Sequence, residues 1–271
     1  MTAFQPGGFK FTDSPDPAWT FGASSSTTHF GRQWAEQETQ GWKTIDTSQE
    51  DPRYLYALSI SGIVPRPIAF VSSISAKNEE NLAPFSWFNQ VCTNPPIISI
   101  SCTGGSRQKD TARNILETKG FTVNIISEPW AVQANAACID APAEVNEWVV
   151  SGLTKEPSTS IAPARVKESA FSMECELLQH IEVKNAAGGL AANLILGTVK
   201  YIHVRNAVLD ERGLVDPAKF MAVGRLGDVA YSKVGDGFRI PRPAWAEEKE
   251  KLQDQLGDVL WTTSGNIRSE S

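Results

Sequence analysis

The sequence predicts a mainly β fold, an antiparallel β-barrel with peripheral helices, over most of its 271 residues. Three observations predict it. Between Pro65 and Ile126, short β-branched and apolar runs alternate with polar or Gly- and Pro-bearing turns. The stretch FSMECELLQHIEVK (171–184) places Phe171, Met173, Cys175 and Leu177 on one face and Ser172, Glu174 and Glu176 on the other. That alternation is expected of a strand with one buried and one solvated side. Finally, no strand–helix–strand rhythm runs through the chain, which argues against a doubly wound sheet.

Taken in order, residues 1–50 read as an irregular arm. It is rich in Gly, Ser and Thr (GASSSTTHFG) yet carries Phe4, Phe9, Phe11, Trp19, Phe21, Trp34 and Trp42. Disordered tails are poor in aromatics, so these rings are expected to pin the arm to the body or to a partner subunit. DPRYLYALSI (51–60) reads as a short helix with Asp51 as N-cap and Pro52 at its first position. IAFVSSIS (68–75) is a strand and AKNEEN (76–81) a polar turn. LAPFSWFNQVC (82–92), the break at Asn94-Pro95-Pro96 and the alternating strand IISISC (97–102) follow. The loop TGGSRQ (103–108) leads to DTARNILETK (110–119), with helical spacing at Ala112, Ile115 and Leu116 and Gly120 as the expected stop. FTVNII (121–126) is a strand, and EPWAVQANAAC (128–138) a helix with Pro129 in its first turn.

The turn AAGG (186–189) joins the strand 171–184 to a long partner, NLILGTVKYIHVRN (193–206). At the C-terminal end, residues 241–261 read as a helix whose Trp245, Leu252, Leu256 and Leu260 fall near one face. This face is expected to dock on the body or on a sister subunit. The predicted organisation is an arm (1–50), a barrel domain (51–240) and a C-terminal helix and tail (241–271).

Composition narrows the function. With 25 basic and 31 acidic residues the net charge is −6, unlike a protein that grips a nucleic-acid backbone. No apolar run approaches the roughly 18–20 residues that cross a bilayer, and the first residues lack a secretory pattern. The expectation is a cytoplasmic protein with neither membrane nor nucleic-acid partner. Cys92, Cys102, Cys138 and Cys175 form no C-x-x-C pair and no metal site is expected. Cys102 and Cys175 lie in alternating apolar runs, where buried, inert thiols are expected.

Classical motifs are absent: no G-x-G-x-x-G after a strand, Walker loop, H-E-x-x-H or G-x-S-x-G is present. His29, His180 and His203 are far apart, and structural or surface roles suit them. The positive signal is SISCTGGSRQKDTARN (99–114). Here a strand runs through Gly104-Gly105 into a helix beginning near Asp110 and Thr111, with Lys109 beside it. Helix starts present unpaired N–H donors, and glycines let backbone approach an anion, so the arrangement suits one phosphate. A plain strand–turn–helix with Asp110 as cap has the same pattern.

Two other stretches carry candidate chemistry. NLAPFSWFNQV (81–91) combines Phe85, Trp87 and Phe88 with Ser86, Asn89 and Gln90, suited either to a flat heterocycle or to a core strand with capping amides. In VPRPIAFVSS (64–73), Arg66 is held extended between two prolines, as an anion clamp or as a surface arginine.

Together these stretches resemble the flavin reductase-like family, whose fold is the FMN-binding split barrel. The resemblance rests on PRPIAFVSSIS (65–75), NLAPFSWFN (81–89), NPPIISIS (94–101), KDTARNI (109–115), FTVNIISE (121–128), SGLT (151–154), VKESAFSMECELL (166–178), LILGTVKYIHV (194–204) and VDPAKFMAVGRLGDVAY (215–231), in family order. It implies a homodimer with FMN at the barrel rim and NAD(P)H as electron donor. It also implies that Ser86, Trp87, Phe88 and Asn89 line the flavin ring and ribityl chain. Ser101, Lys109 and Thr111 match phosphate-binding positions, with Asp110 between them and Arg66 as a further candidate. Asn124 and Arg225 sit in matching motifs. The function it implies is NAD(P)H-dependent flavin reduction. An FMN enzyme acting directly on a metabolite, and a non-enzymatic FMN carrier, are its alternatives.

Overall fold

The computed structural model describes residues 3–5, 8–104 and 107–261. The chain forms two compact units, Met1–Phe9 with Asp51–Gly235, and Lys10–Glu50 with Asp236–Ser271. The second unit thus takes most of the arm together with the C-terminal helix. That helix spans Trp245–Leu256, within the predicted segment.

The first unit is built on one seven-stranded antiparallel sheet. Its strands are β1 (Ala69–Ile74), β2 (Glu80–Phe85), β3 (Phe88–Thr93), β4 (Pro96–Thr103), β5 (Gly120–Asn124), β6 (Phe171–Lys184) and β7 (Leu190–Val204). Their order across the sheet is β2-β1-β5-β6-β7-β4-β3. The two edge strands, β2 and β3, are consecutive in the chain, with only Ser86 and Trp87 between them. Three residue steps span at most about 10 Å, so the sheet must curl until the end of β2 reaches the start of β3. They do not pair, which makes the barrel a split one. Register shifts within the β6–β7 pairing and in β3–β4 supply the bends that curling requires.

Alternation in β4 follows the sequence. Ile98, Ile100 and Cys102 face inward, while Ser99 and Ser101 face away and are half-buried. The barrel interior also takes Val71, Phe121, Val123, Cys175 and Ile195, together with Ala112 and Ile115 from helix α2 (Asp110–Thr118). Gly197 belongs to this packing. A Cβ there would stand 2.5 Å from Cζ of Phe121. Burial pushes the Cys102 thiol up to about 12 and raises that of Cys175 as well; both are inert, as the sequence predicts.

A second apolar layer covers the outside of β1. Phe70, Leu82 and Ile126 pack under Trp130 and Trp148, carried by the segments that include α3 (Ala131–Ala136) and α4 (Glu147–Ser151). Helix α1 (Pro52–Gly62) starts as predicted, with Asp51 Oδ1 accepting from the Arg53 amide at 2.6 Å.

Three local expectations are corrected. Lys109, not Asp110, is the N-cap of α2, and Asp110 occupies the first turn. The same helix ends on Lys119, which takes the left-handed conformation at φ 70°, while Gly120 opens β5. Gly120 is small for another reason: a Cβ there would lie 3.2 Å from Ile161. Finally, Ser172 and Glu174 on β6 are buried, not solvated. The Ser172 hydroxyl donates to Asn124 Oδ1 at 2.8 Å. Glu174 accepts from the amides of Thr159 and Ser160 at 2.6 and 2.8 Å, from the Ser160 hydroxyl at 2.9 Å, and faces His203 Nε2 at 2.7 Å. The segment carrying Thr159 and Ser160 covers what the alternation presents as an open face.

Candidate functional site

The seam between the edge strands opens into a notch of about 240 Å³. Ser86 and Trp87, which bridge the seam, form one wall; Ser101 and Lys109 form another. The Ser101 amide donates to the Trp87 carbonyl at 2.8 Å, so the bridge is tied to β4 beside the serine. Trp87 is 40% exposed and its ring stands 6.4 Å from that of Tyr56 on α1. An accessible indole beside hydroxyl and ammonium donors can stack a flat ring while the donors hold an anion.

Helix α2 begins at the notch. Its N-cap, Lys109, makes no side-chain capping hydrogen bond, so the capping residue supplies no acceptor to the first amides of the helix. Lys109 Nζ pairs with the exposed carboxylate of Asp140 at 3.2 Å. Asp110 is held between Arg107 and Arg113 at 2.7 and 2.9 Å, so its charge at the helix start is compensated. Gly105 and Ser106, part of the predicted anion cradle, lie outside the described residues.

The predicted site residues divide into three groups. Ser86, Trp87, Ser101 and Lys109 share the notch. Phe88 and Asn89 flank it on β3: Phe88 pairs with Ile100 and packs on the core, while Asn89 pairs with Ser99 and is exposed, its Oδ1 accepting from the Gln90 amide. Thr111, Asp110 and Arg66 do not line it. The Thr111 hydroxyl is buried and accepts from Asn81 Nδ2 at 2.7 Å. Asn124 is likewise buried, binding the Phe70 carbonyl and the Val166 amide.

Arg66 is a structural tie placed directly behind the notch. Its guanidinium donates to the carbonyls of Ile60, Ile63 and Leu226 and to the Ser86 hydroxyl, the last at 3.2 Å. Four of its five N–H donors are thereby committed to the chain. Burial and, next, the nearby Arg225 charge lower its pKa.

Sequence reading missed Tyr56, Thr103, Cys138 and Tyr231, all of which line the notch, and left Arg225 without a firm role. Arg225 lies on β8 (Val223–Arg225), whose backbone pairs with Arg66 by two hydrogen bonds of 2.9 and 2.8 Å. Its guanidinium stacks 4.6 Å from the centre of the Tyr231 ring. The Tyr231 hydroxyl donates to Asn135 Oδ1 at 2.8 Å, and burial raises its pKa. With Lys109, Arg225 makes the notch cationic. The available signal was the motif GRLGDVAY (224–231), but nothing local in it indicates pairing with Arg66.

Among the described residues, no group of three His, Cys, Asp or Glu side chains is placed to hold a metal ion. No helix there is long and apolar enough to cross a membrane.

Comparison with known proteins places these features in a family. The family described as "Flavin reductase like domain" matches residues 61–223. An uncharacterized protein of Aquifex aeolicus is 38% identical over 187 residues, covering 68% of this chain and 92% of its own. The structure of nitrilotriacetate monooxygenase component B from Bacillus cereus superposes with a TM-score of 0.71 at 31% identity, over 74% of this chain and 99% of that one. A Shewanella frigidimarina protein described as having a split barrel domain aligns with a TM-score of 0.65 over 74% of this chain and 100% of its own. At 18% identity that match shows the fold alone.

Proposed function

Because the chain belongs to the flavin reductase-like family, we propose that it is an FMN-binding oxidoreductase that takes hydride from NAD(P)H. One observation carries this reading: Ser86, Trp87, Ser101, Lys109 and Arg225 line a single cationic notch at the uncapped start of α2. The donor set fits a phosphate monoester joined to a flat ring.

FMN, when bound, supplies the two-electron chemistry, with N5 as the hydride acceptor. The chain's own residues bind and orient. Lys109 and Arg225 offer fixed positive charge, the Ser101 hydroxyl and the first amides of α2 offer neutral donors, and Trp87 offers a stacking face. At about 240 Å³ the notch is below the roughly 300–1,000 Å³ usual for whole-ligand sites. It would therefore hold part of the ligand, the phosphate and its neighbouring chain. Such a site needs no nucleophile and no acid–base pair, since hydride transfer depends on holding two rings in register.

We propose also that the chain forms a homodimer. Ile181 and Val183, two residues apart on one face of β6, are 42% and 44% exposed, and a second copy of the chain would cover them. Light scattering coupled to size exclusion should give twice the chain mass.

The absorption spectrum of the purified protein tests the flavin reading, followed by anaerobic titration with NADH and NADPH. Flavin bands that bleach with either nicotinamide support it. Protein that stays colourless and takes up no added FMN overturns it, while bound FMN that neither nicotinamide bleaches removes the NAD(P)H step.

A further inference from the structure

Another hollow, of about 560 Å³, shares no residue with the notch. Its volume is in the range of small-molecule sites. It lies where the end of β7 runs beside residues 165–169. Backbone holds both sides. Arg165–Val166 pairs with Lys155–Glu156, and the Arg205 amide donates to the Ala170 carbonyl at 2.9 Å.

The lining is cationic. Arg165, Lys167 and Arg205 stand there against one lining carboxylate, Glu156. In a chain of net charge −6, this is a local excess of two positive charges. Main-chain carbonyls orient the two guanidinium groups. Arg165 donates through Nε and Nη2 to the Pro157 carbonyl at 3.2 and 3.1 Å, and Arg205 through Nη2 to the Lys167 carbonyl at 2.6 Å. None of the three cations forms an ion pair among the described residues. A concave surface lined by one sign of charge draws counter-ions to it.

His203 adds a donor fixed in direction. It lines the same hollow, and its Nε2 meets Glu174 Oε1 at 2.7 Å. Glu174 is fully buried, with its other bonds made to Thr159 and Ser160. A protonated imidazole donates from both nitrogens. Here one is committed to the carboxylate that balances its charge, and Nδ1 has no partner among the described residues. Ile202 and Val204 supply an apolar side.

We propose that this hollow binds a small organic diphosphate. The two guanidinium forks and Lys167 match the oxygens and the charge of a diphosphate, and the organic part lies along Ile202 and Val204. The site does not depend on the flavin reading.

The test is calorimetry of the full chain with ADP, with saturating FMN present to fill the notch. The expected result is one saturable site that weakens with added salt, binds AMP about tenfold less tightly, and is emptied by excess pyrophosphate. Arg165→Gln and Arg205→Gln should each weaken ADP binding about tenfold, the lower end for a charge-assisted contact. Lys167→Gln, at an exposed position, should weaken it several-fold. Lys77→Gln removes the same charge from the exposed turn after β1 and should leave the affinity unchanged. Melting temperatures check the fold of each variant. A chain that takes up no FMN leaves this test standing, because the three cations line no part of the notch. No binding at millimolar ADP overturns the proposal. So does unchanged affinity in the arginine variants, an equal loss in Lys77→Gln, or citrate bound as tightly as ADP.

Discussion

Lys109 and Arg66 show how two cations from the same sequence argument come to different work. Lys109 reaches the notch, and Lys109→Ala should weaken FMN binding by about 1.5–3 kcal/mol, the value of a charge-assisted contact; equal flavin affinity in a fluorescence titration would refute its role. Arg66 instead joins three carbonyls and Ser86 behind the notch. Arg66→Met leaves those carbonyls without their donor and should lower unfolding stability by roughly 2–4 kcal/mol, read from denaturant midpoints. Glu174 gives a third residue-scale expectation. Burial alone would raise its carboxyl, but the Thr159 and Ser160 donors and His203 outweigh it and hold the pKa down to about 2. The unfolded value is about 4.3. This carboxylate therefore stabilises the fold fully above that value, and the contribution is lost as pH falls toward 2. Glu174→Gln should destabilise the protein at neutral pH and flatten the pH dependence of its stability between those two values, as followed by circular dichroism.

Elements were legible where local chemistry decided them. The Asp51-Pro52 start of α1, the alternation of β4 and the turn at 186–189 all follow from residues within a few positions. Reading failed where a distant segment intervened. Ser172 and Glu174 alternate as a solvated face, yet the 157–165 segment folds over them and satisfies the carboxylate. Gly120 resembles a helix stop, but Lys119 takes the left-handed turn and the glycine makes room for Ile161. Gly197 in β7 is a stronger case of the same kind. Gly197→Ala drives a methyl into Phe121, and overpacking of this sort should cost about 1–3 kcal/mol. Thermal unfolding measures it, and trimming Phe121 to Leu in the same chain should restore part of the loss.

At the scale of the whole molecule, the notch assembles from stretches far apart in the chain, among them α1, the seam, β4, the start of α2, the segment after α3 that carries Cys138, and β8 with the strand that follows it. Ser86, Trp87, Ser101 and Lys109 were legible because strand, loop and helix follow one another within about 25 residues. Tyr56, Cys138 and Tyr231 were not, since only the Arg66–Arg225 bridge and the helix contacts carry them there. Sequence periodicity records faces, not which distant strand end meets another.

The two-residue link at Ser86-Trp87 has a mechanical meaning. The wall of the cylinder is fastened on one side by peptide bonds and on the other six joints by ladders of backbone pairing. No ladder crosses the joint at the link, so the rim there is held by the link itself and by its hydrogen bonds to Ser101 and Arg66, and a tether so short costs little entropy to hold shut. A circular permutant with new termini placed inside that link should keep its strands yet hold its ligand loosely.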